Sequence, residues 1–115
     1  MQQRFRLRQR QDFERLRREG RVYRHPMMML SVAPNGLTHN RYGFITGKQI
    51  GKAVVRNRVK RLLREAALLL HPHLTSGFDL IFIARGVIVE KPFSDVRRTV
   101  DELCHRAGLV GKETE

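Results

Sequence analysis

Hydrophobic positions along this chain follow two different periods, which together predict strands alternating with helices. Three apolar runs, at residues 27–32, 41–46 and 79–84, are each six residues long and are bounded by loop residues, as strands are. The last run is apolar after its first position, so we expect it inside the sheet, covered on both faces. The first two runs are close in sequence, so they are predicted to pair antiparallel with each other.

A period of three to four residues over residues 53–70 predicts one long amphipathic helix, which His71-Pro72 stops. Its apolar side chains fall within an arc of roughly 120° on a helical wheel and should pack on the sheet. They are Val55, Val59, Leu62, Leu63, Ala66, Leu69 and Leu70.

Capping signals predict two shorter helices. Asp12 is a candidate N-cap for a helix that ends near Gly20. Ser94 is a candidate N-cap for a last helix that runs to about Ala107, where Gly108 suits its end.

The remaining segments are predicted to lack regular structure. Residues 1–10 form a basic, mobile arm, residues 21–26 a connector and residues 109–115 a tail. The order is therefore helix, two strands, helix, strand, helix in a single domain over residues 1–115. This order predicts an α+β fold, an α/β sandwich with one small mixed sheet.

Charge divides the chain into two unlike halves. The formal net charge is +12, but residues 1–64 hold 17 Lys and Arg against three acids, whereas residues 65–115 hold six against eight. Of the 23 cations, 18 are Arg, which favours bidentate contacts with phosphate. The first half is therefore the candidate binding surface for a polyanion, and nucleic acid is the obvious one.

The long helix concentrates this charge, because no acid occurs between Lys48 and Arg64. A solvated helix normally mixes acids with its cations, so this helix repels itself unless a polyanion lies against it. Near its start, Gly47, Lys48, Gly51 and Lys52 offer backbone N–H groups and charge where the helix dipole also favours phosphate. The polar and cationic residues on its flanks and outward face are Arg56, Asn57, Arg58, Lys60, Arg61 and Arg64.

Residues 56–65, which begin Arg-Asn-Arg, resemble the signature of the protein subunit of bacterial ribonuclease P. The resemblance extends to the first helix at residues 7–20, the strand at 42–44, the loop at 50–54 and the last strand at 78–85. These segments occur in the family's order and spacing.

The resemblance implies a small basic subunit that assembles with a large catalytic RNA and helps it remove the 5′ leader of precursor tRNA by hydrolysis. It also implies three helices on a four-stranded sheet like that of domain 2 of ribosomal protein S5, with a left-handed βαβ crossover. The RNA would hold the magnesium ions that perform the chemistry, with no catalytic residue, metal ligand or cofactor on the protein. The implied RNA contacts are Lys48, Lys52, Arg56, Asn57, Arg58, Lys60, Arg61 and Arg64.

The family holds the single-stranded leader in a cleft between the first helix and the sheet, and Phe13 matches an aromatic that lines it. Arg17 stands where the family often has a second aromatic, and Ser31 replaces a frequent aromatic in the cleft strand. Strand alternation independently supports a cleft. The row expected to face the core is Met28, Leu30 and Val32. The row expected on the other face, where soft side chains could meet bases, is Met27, Met29 and Ser31.

Other chemistry is absent from the sequence. The single Cys104 cannot form an intrachain disulfide and is expected to be a buried apolar residue. His71 and His73 are expected to be helix-end residues with no metal site. No apolar run reaches the roughly 20 residues of a membrane span, and the N-terminus has no apolar signal region, so we expect a cytoplasmic protein with no membrane or small-molecule partner.

Three other hypotheses stay open at this point. A ribosomal or ribosome-assembly protein would share the charge argument but have no leader cleft. A protein-only nuclease would need a catalytic cluster that the chain lacks. A DNA-binding module would need a helix-turn-helix partner for the basic helix.

Overall fold

The computed structural model describes residues 1–111 as three helices packed on one four-stranded sheet. The helices are α1 (Arg10–Glu19), α2 (Ala53–Leu70) and α3 (Phe93–Arg106). The strands are β1 (Arg21–Arg24), β2 (Met28–Pro34), β3 (Arg41–Ile45) and β4 (Phe78–Ala84). The α+β class and the bounds of the long helix are confirmed. Residues 112–115 of the predicted tail lie outside the described residues.

The strand order is β1-β2-β4-β3, with β3 and β4 parallel and the other neighbours antiparallel. The prediction that β2 pairs with β3 is wrong, because β4 lies between them. Asn40, in the loop between β2 and β3, accepts a hydrogen bond from the Phe78 N–H (2.8 Å) and donates one to the Thr75 carbonyl (2.9 Å). The loop is thus tied to the start of β4, and α2 connects the two parallel strands. The left-handed crossover and the S5 likeness stay predictions.

The segment predicted as a connector contains the edge strand β1, which pairs with β2 from Arg21 opposite Val32 to Arg24 opposite Met29. Its sequence, Arg-Val-Tyr-Arg, has cations at both ends, so it lacks an apolar run. Short, charged edge strands resist pairing with other chains, which explains a strand without the usual signal.

One face of the sheet packs against α2 and α3 to form the main core. Met28, Leu30 and Val32 lie in it as predicted, and so does the buried Cys104. Met27 also lies in this core and not on the cleft face, because it precedes β2 and does not follow the strand's alternation.

The buried face of α2 differs from its prediction at two positions. Leu69 is 49% exposed, whereas Ala67 is buried. The buried arc is therefore turned toward Ala67, and Leu69 is left in an open groove beside α3.

The two predicted N-caps are also corrected. Gln9 and Pro92 occupy the N-cap positions of α1 and α3, so Asp12 and Ser94 lie inside the first turns. Gly108, at φ 75°, ends α3 as predicted, because this left-handed conformation lets the Leu109 N–H reach the Cys104 carbonyl at 3.0 Å.

The N-terminal segment is packed on the sheet, in contrast to the expected mobile arm. Leu7 is 6% exposed in a second, smaller core under α1, and its N–H donates to the Tyr42 carbonyl at 2.8 Å. Among residues 1–111, no helix is long and apolar enough to span a membrane.

Candidate nucleic-acid interface

The structure brings all eight residues predicted to contact RNA onto α2 and the turn that precedes it. Gly51 has φ 136°, which places the chain in a conformation that favours glycine just before the helix. No side chain caps the N-terminus of α2 at its N-cap, Lys52, and the first turn holds no acid. The start of the helix therefore presents uncapped N–H groups beside Lys48 and Lys52, an arrangement that suits phosphate.

These side chains divide into an outward set and a flank set. The outward, exposed set is Lys48, Lys52, Asn57, Arg58 and Arg61. Arg56, Lys60 and Arg64 are half-buried and follow one another along a single flank of α2. Together the two sets form the surface that we call the α2 basic surface.

The cations of the α2 basic surface lack intramolecular counter-charges in the described part of the chain. Within residues 1–111, no carboxylate lies within 4.0 Å of any of the seven. Their charge is therefore available to an external polyanion, and phosphate contacts of this kind supply most of the affinity of nucleic-acid binding.

Arg64 is held by an aromatic stack that the sequence analysis missed. Its guanidinium carbon lies 5.9 Å from the centroid of the Phe44 ring, and that ring is stacked on Phe82 at 6.0 Å. The Nε of Arg64 is buried without a hydrogen-bond partner in the described residues. Because no hydrogen bond at Nε fixes the guanidinium of Arg64 in the described residues, its orientation depends on contact with the Phe44 ring. Phe44 and Arg64 are 20 residues apart in the sequence, so no local pattern predicts their contact.

The second face of the sheet carries the candidate cleft. The α1 helix covers one part of this face, and the uncovered part is a shallow groove of about 550 Å³. Met29 and Ile83, paired across β2 and β4, form its apolar floor, and Arg24 and Arg85 line its sides.

The four residues predicted to line the leader cleft are not all in this groove. Met29 lies in it, and Arg17 is exposed on α1. Phe13 is half-buried under α1, where a Cβ added at Gly43 would lie 3.0 Å from its ring. Ser31 is buried, and its hydroxyl donates to the Leu16 carbonyl at 3.3 Å, so α1 covers it. Ser31 therefore holds the helix and does not line the open groove.

A buried ionic cluster fixes α1 to the sheet. Asp79 is fully buried, and Arg41 donates to it twice, at 2.9 and 2.8 Å, which raises the pKa of Arg41. Arg15 of α1 also donates to Asp79, and Asp12 lies 3.5 Å from Arg41 and 4.0 Å from Arg15. Two guanidinium groups thus meet two carboxylates. Sequence analysis missed this cluster because its members are far apart in the chain.

The described residues offer no evident metal site. Among residues 1–111, no three His, Cys, Asp or Glu side chains lie close enough to hold a metal ion, and the carboxylates of Asp12 and Asp79 are engaged by guanidinium groups. This donor set does not fit magnesium.

A family model for ribonuclease P matches residues 1–108, nearly the whole chain. The chain belongs to the ribonuclease P protein family. The ribonuclease P protein component of Roseiflexus castenholzii is 43% identical over 111 residues, which cover 96% of this chain and 91% of the relative.

Solved structures of ribonuclease P proteins share the fold. The protein from Thermotoga maritima is 30% identical with a TM-score of 0.81, over 88% of this chain and 96% of that one. The protein from Staphylococcus aureus has a TM-score of 0.86 at 24% identity, over 93% and 98% of the two chains, and supports the fold alone.

Membership of the ribonuclease P family selects the first hypothesis drawn from the sequence. The chain is the protein component of an endoribonuclease that acts in tRNA 5′ maturation, and components of this kind work with an RNA subunit. The α2 basic surface has the charge to contact RNA, and the groove at Met29 and Ile83, which we call the groove beside α1, has an apolar floor on which bases can lie.

Proposed function

We propose that the α2 basic surface binds the RNA subunit of ribonuclease P and that the groove beside α1 holds the 5′ leader of precursor tRNA. The observation that carries the first part is the absence of any carboxylate within 4.0 Å of seven clustered cations in residues 1–111. Arg58 and Arg61 neutralise phosphates from the outward face, and the Arg64 fork is aimed by Phe44. Asn57 is also exposed on this surface, and its amide forms a hydrogen bond with a base or a ribose.

The leader assignment follows from the composition of the groove. Met29 and Ile83 give an apolar floor on which unpaired bases can lie, and exposed Arg17 on α1 offers a guanidinium for stacking or for a phosphate. Phe13 packs between α1 and the sheet, beside Gly43, and so helps to hold α1 in place. The arrangement is tolerant of sequence, as a site for varied leaders must be.

We assign the magnesium of the complex to RNA phosphates, because residues 1–111 bring no three His, Cys, Asp or Glu side chains together. Positive charge on α2 lowers the repulsion between crowded phosphates and so favours the folded RNA that holds the ions. We expect the complex to act on precursor tRNA in the cytoplasm, with no membrane partner.

Reconstitution tests the proposed function. The chain is added to a bacterial ribonuclease P RNA at low magnesium, and cleavage of a precursor tRNA is measured. Wild-type protein should stimulate cleavage at the 5′ end of the mature tRNA, whereas Arg58→Gln/Arg61→Gln should require more protein for the same rate. No stimulation by the wild-type chain would contradict the proposal.

Crosslinking tests the leader groove separately. Met29→Cys carries a thiol-linked photo-crosslinker, since Cys104 is buried and burial raises its pKa to about 12, which keeps it unreactive. Leu37→Cys, at an exposed loop position, is the control. Crosslinks to the leader from position 29 and none from position 37 are expected. Equal crosslinking to the leader from positions 29 and 37 would contradict the assignment of the leader to the groove.

A further inference from the structure

The N-terminal segment closes the outer edge of the sheet. The β3 strand is an edge strand, and Arg6 forms a parallel bridge with Tyr42 on its open side. The Leu7 N–H donates to the Tyr42 carbonyl at 2.8 Å. The segment therefore lies along the edge that β3 leaves unpaired.

Two apolar side chains fasten this segment on opposite sides of the sheet. Phe5 packs against the main core, with its ring centroid 4.8 Å from that of His71 and 5.6 Å from that of His39. Leu7 is buried in the second core under α1. The positions of the residues between and beside these anchors are therefore set.

Those neighbouring residues are arginines that face solvent. Arg4, Arg6 and Arg8 are exposed, and no carboxylate lies within 4.0 Å of any of them in residues 1–111. Arg10, the next in the series, is paired with Glu14 at 3.3 Å. The first three thus form a row of unneutralised cations, which we call the N-terminal arginine row.

The row and the α2 basic surface both contact β3. Arg6 is bridged to Tyr42, and Phe44, two residues further along β3, lies under Arg64. Two strand residues span about 7 Å, so the two places on β3 that these cations contact are close together. Cations on both sides of this edge can therefore meet the same RNA molecule.

We propose that the N-terminal arginine row is a second contact for the RNA subunit, in addition to the α2 basic surface. The inference rests on the proposed function and names a surface that the sequence had suggested only as a mobile arm. Arg6 and Arg8 neutralise phosphates directly, while Arg4, whose guanidinium carbon lies 4.7 Å from the centroid of the Phe5 ring, also supports the anchor.

The test compares two variants that each lose two exposed charges. Arg6→Gln/Arg8→Gln removes two cations of the N-terminal arginine row and keeps Arg4 against the Phe5 ring. The control variant, Arg97→Gln/Arg98→Gln on α3, also removes two exposed arginines. Affinity for a bacterial ribonuclease P RNA alone, and for a precursor tRNA alone, is measured between 50 and 200 mM salt. Wild-type stimulation of cleavage is measured in parallel, so that failure of the proposed function is recognised separately.

Loss of two phosphate contacts should make the slope of log affinity against log salt about 1.4 to 1.8 shallower for the RNA subunit. Raising the salt fourfold should then weaken wild-type binding roughly tenfold more than binding of the Arg6/Arg8 variant. The control should keep the wild-type slope.

Three results would overturn the inference while cleavage is still stimulated. They are an unchanged slope in the Arg6/Arg8 variant, an equal change in the control, and a change seen with precursor tRNA but not with the RNA subunit.

Discussion

Arginines in two regions of this molecule have opposite surroundings. Where α1 meets the sheet, Arg15 and Arg41 are matched by Asp12 and the buried Asp79. On α2, the cations have no carboxylate within 4.0 Å in residues 1–111. The difference separates arginines that stabilise the fold from arginines whose charge is left for a partner.

The largest expected effect comes from breaking the matched region. Asp79→Asn removes one of the two carboxylates and leaves guanidinium groups partly uncompensated beside a buried amide. Such a loss costs about 3–5 kcal/mol of unfolding free energy. Urea unfolding should show it, with Arg61→Gln on α2 changing stability by less than about 0.5 kcal/mol. A similar cost for both variants would erase the distinction between the regions.

An intermediate effect is expected at Phe44, because its ring orients the α2 cation Arg64. Phe44→Leu should reduce affinity for the RNA subunit, because Arg64 loses a cation–π contact worth about 0.5–2 kcal/mol. Phe44→Tyr keeps the ring and should keep the affinity. Binding is measured for each variant.

A double-mutant cycle shows whether Phe44 acts through Arg64. In an Arg64→Gln background, Phe44→Leu should have no further effect on RNA affinity. Equal losses in both backgrounds would mean that Phe44 only supports the core, and unfolding measurements on the same proteins identify any loss of stability.

The smallest effect concerns pH. Burial, followed by the charges of Arg4 and His39, lowers the pKa of His71 below its ordinary 6.5, and Tyr42 lies 2.7 Å from its Nδ1. The neutral imidazole is therefore favoured in the folded state. Its contribution to stability is complete above pH 6.5 and is lost as pH falls through the lower folded-state pKa.

Unfolding free energies measured from pH 7.5 to 5 should show this loss in the wild type. His71→Gln should reduce the dependence over that range. The same dependence in both proteins would contradict the account of His71.

Local patterns predicted some of this molecule well. The bounds of α2 emerge from a three- to four-residue period sustained over 18 residues and from a proline stop, and the interior position of β4 follows from its apolar run. The eight residues predicted to contact RNA came from charge and from family resemblance; the fold places them on one surface, and their contact with RNA stays a prediction. In each case the signal lies within one continuous segment.

Non-local contacts account for what the sequence analysis missed. The pairing of β3 with β4 depends on a loop tied to the start of β4, and Asp79 is matched to Arg41 across 38 residues. Ser31 was assigned to the cleft because strand alternation says nothing about which part of a face a helix covers. Spatial partners of this kind appear only once the chain is folded.

Salt dependence of binding to the RNA subunit tests the central claim most directly. Arg58→Gln/Arg61→Gln is compared with wild type and with Arg97→Gln/Arg98→Gln. The account predicts a slope shallower by about 1.4 to 1.8 in the α2 variant alone, with all three proteins equally stable. An unchanged slope in the α2 variant, or the same change in the α3 control, would contradict it.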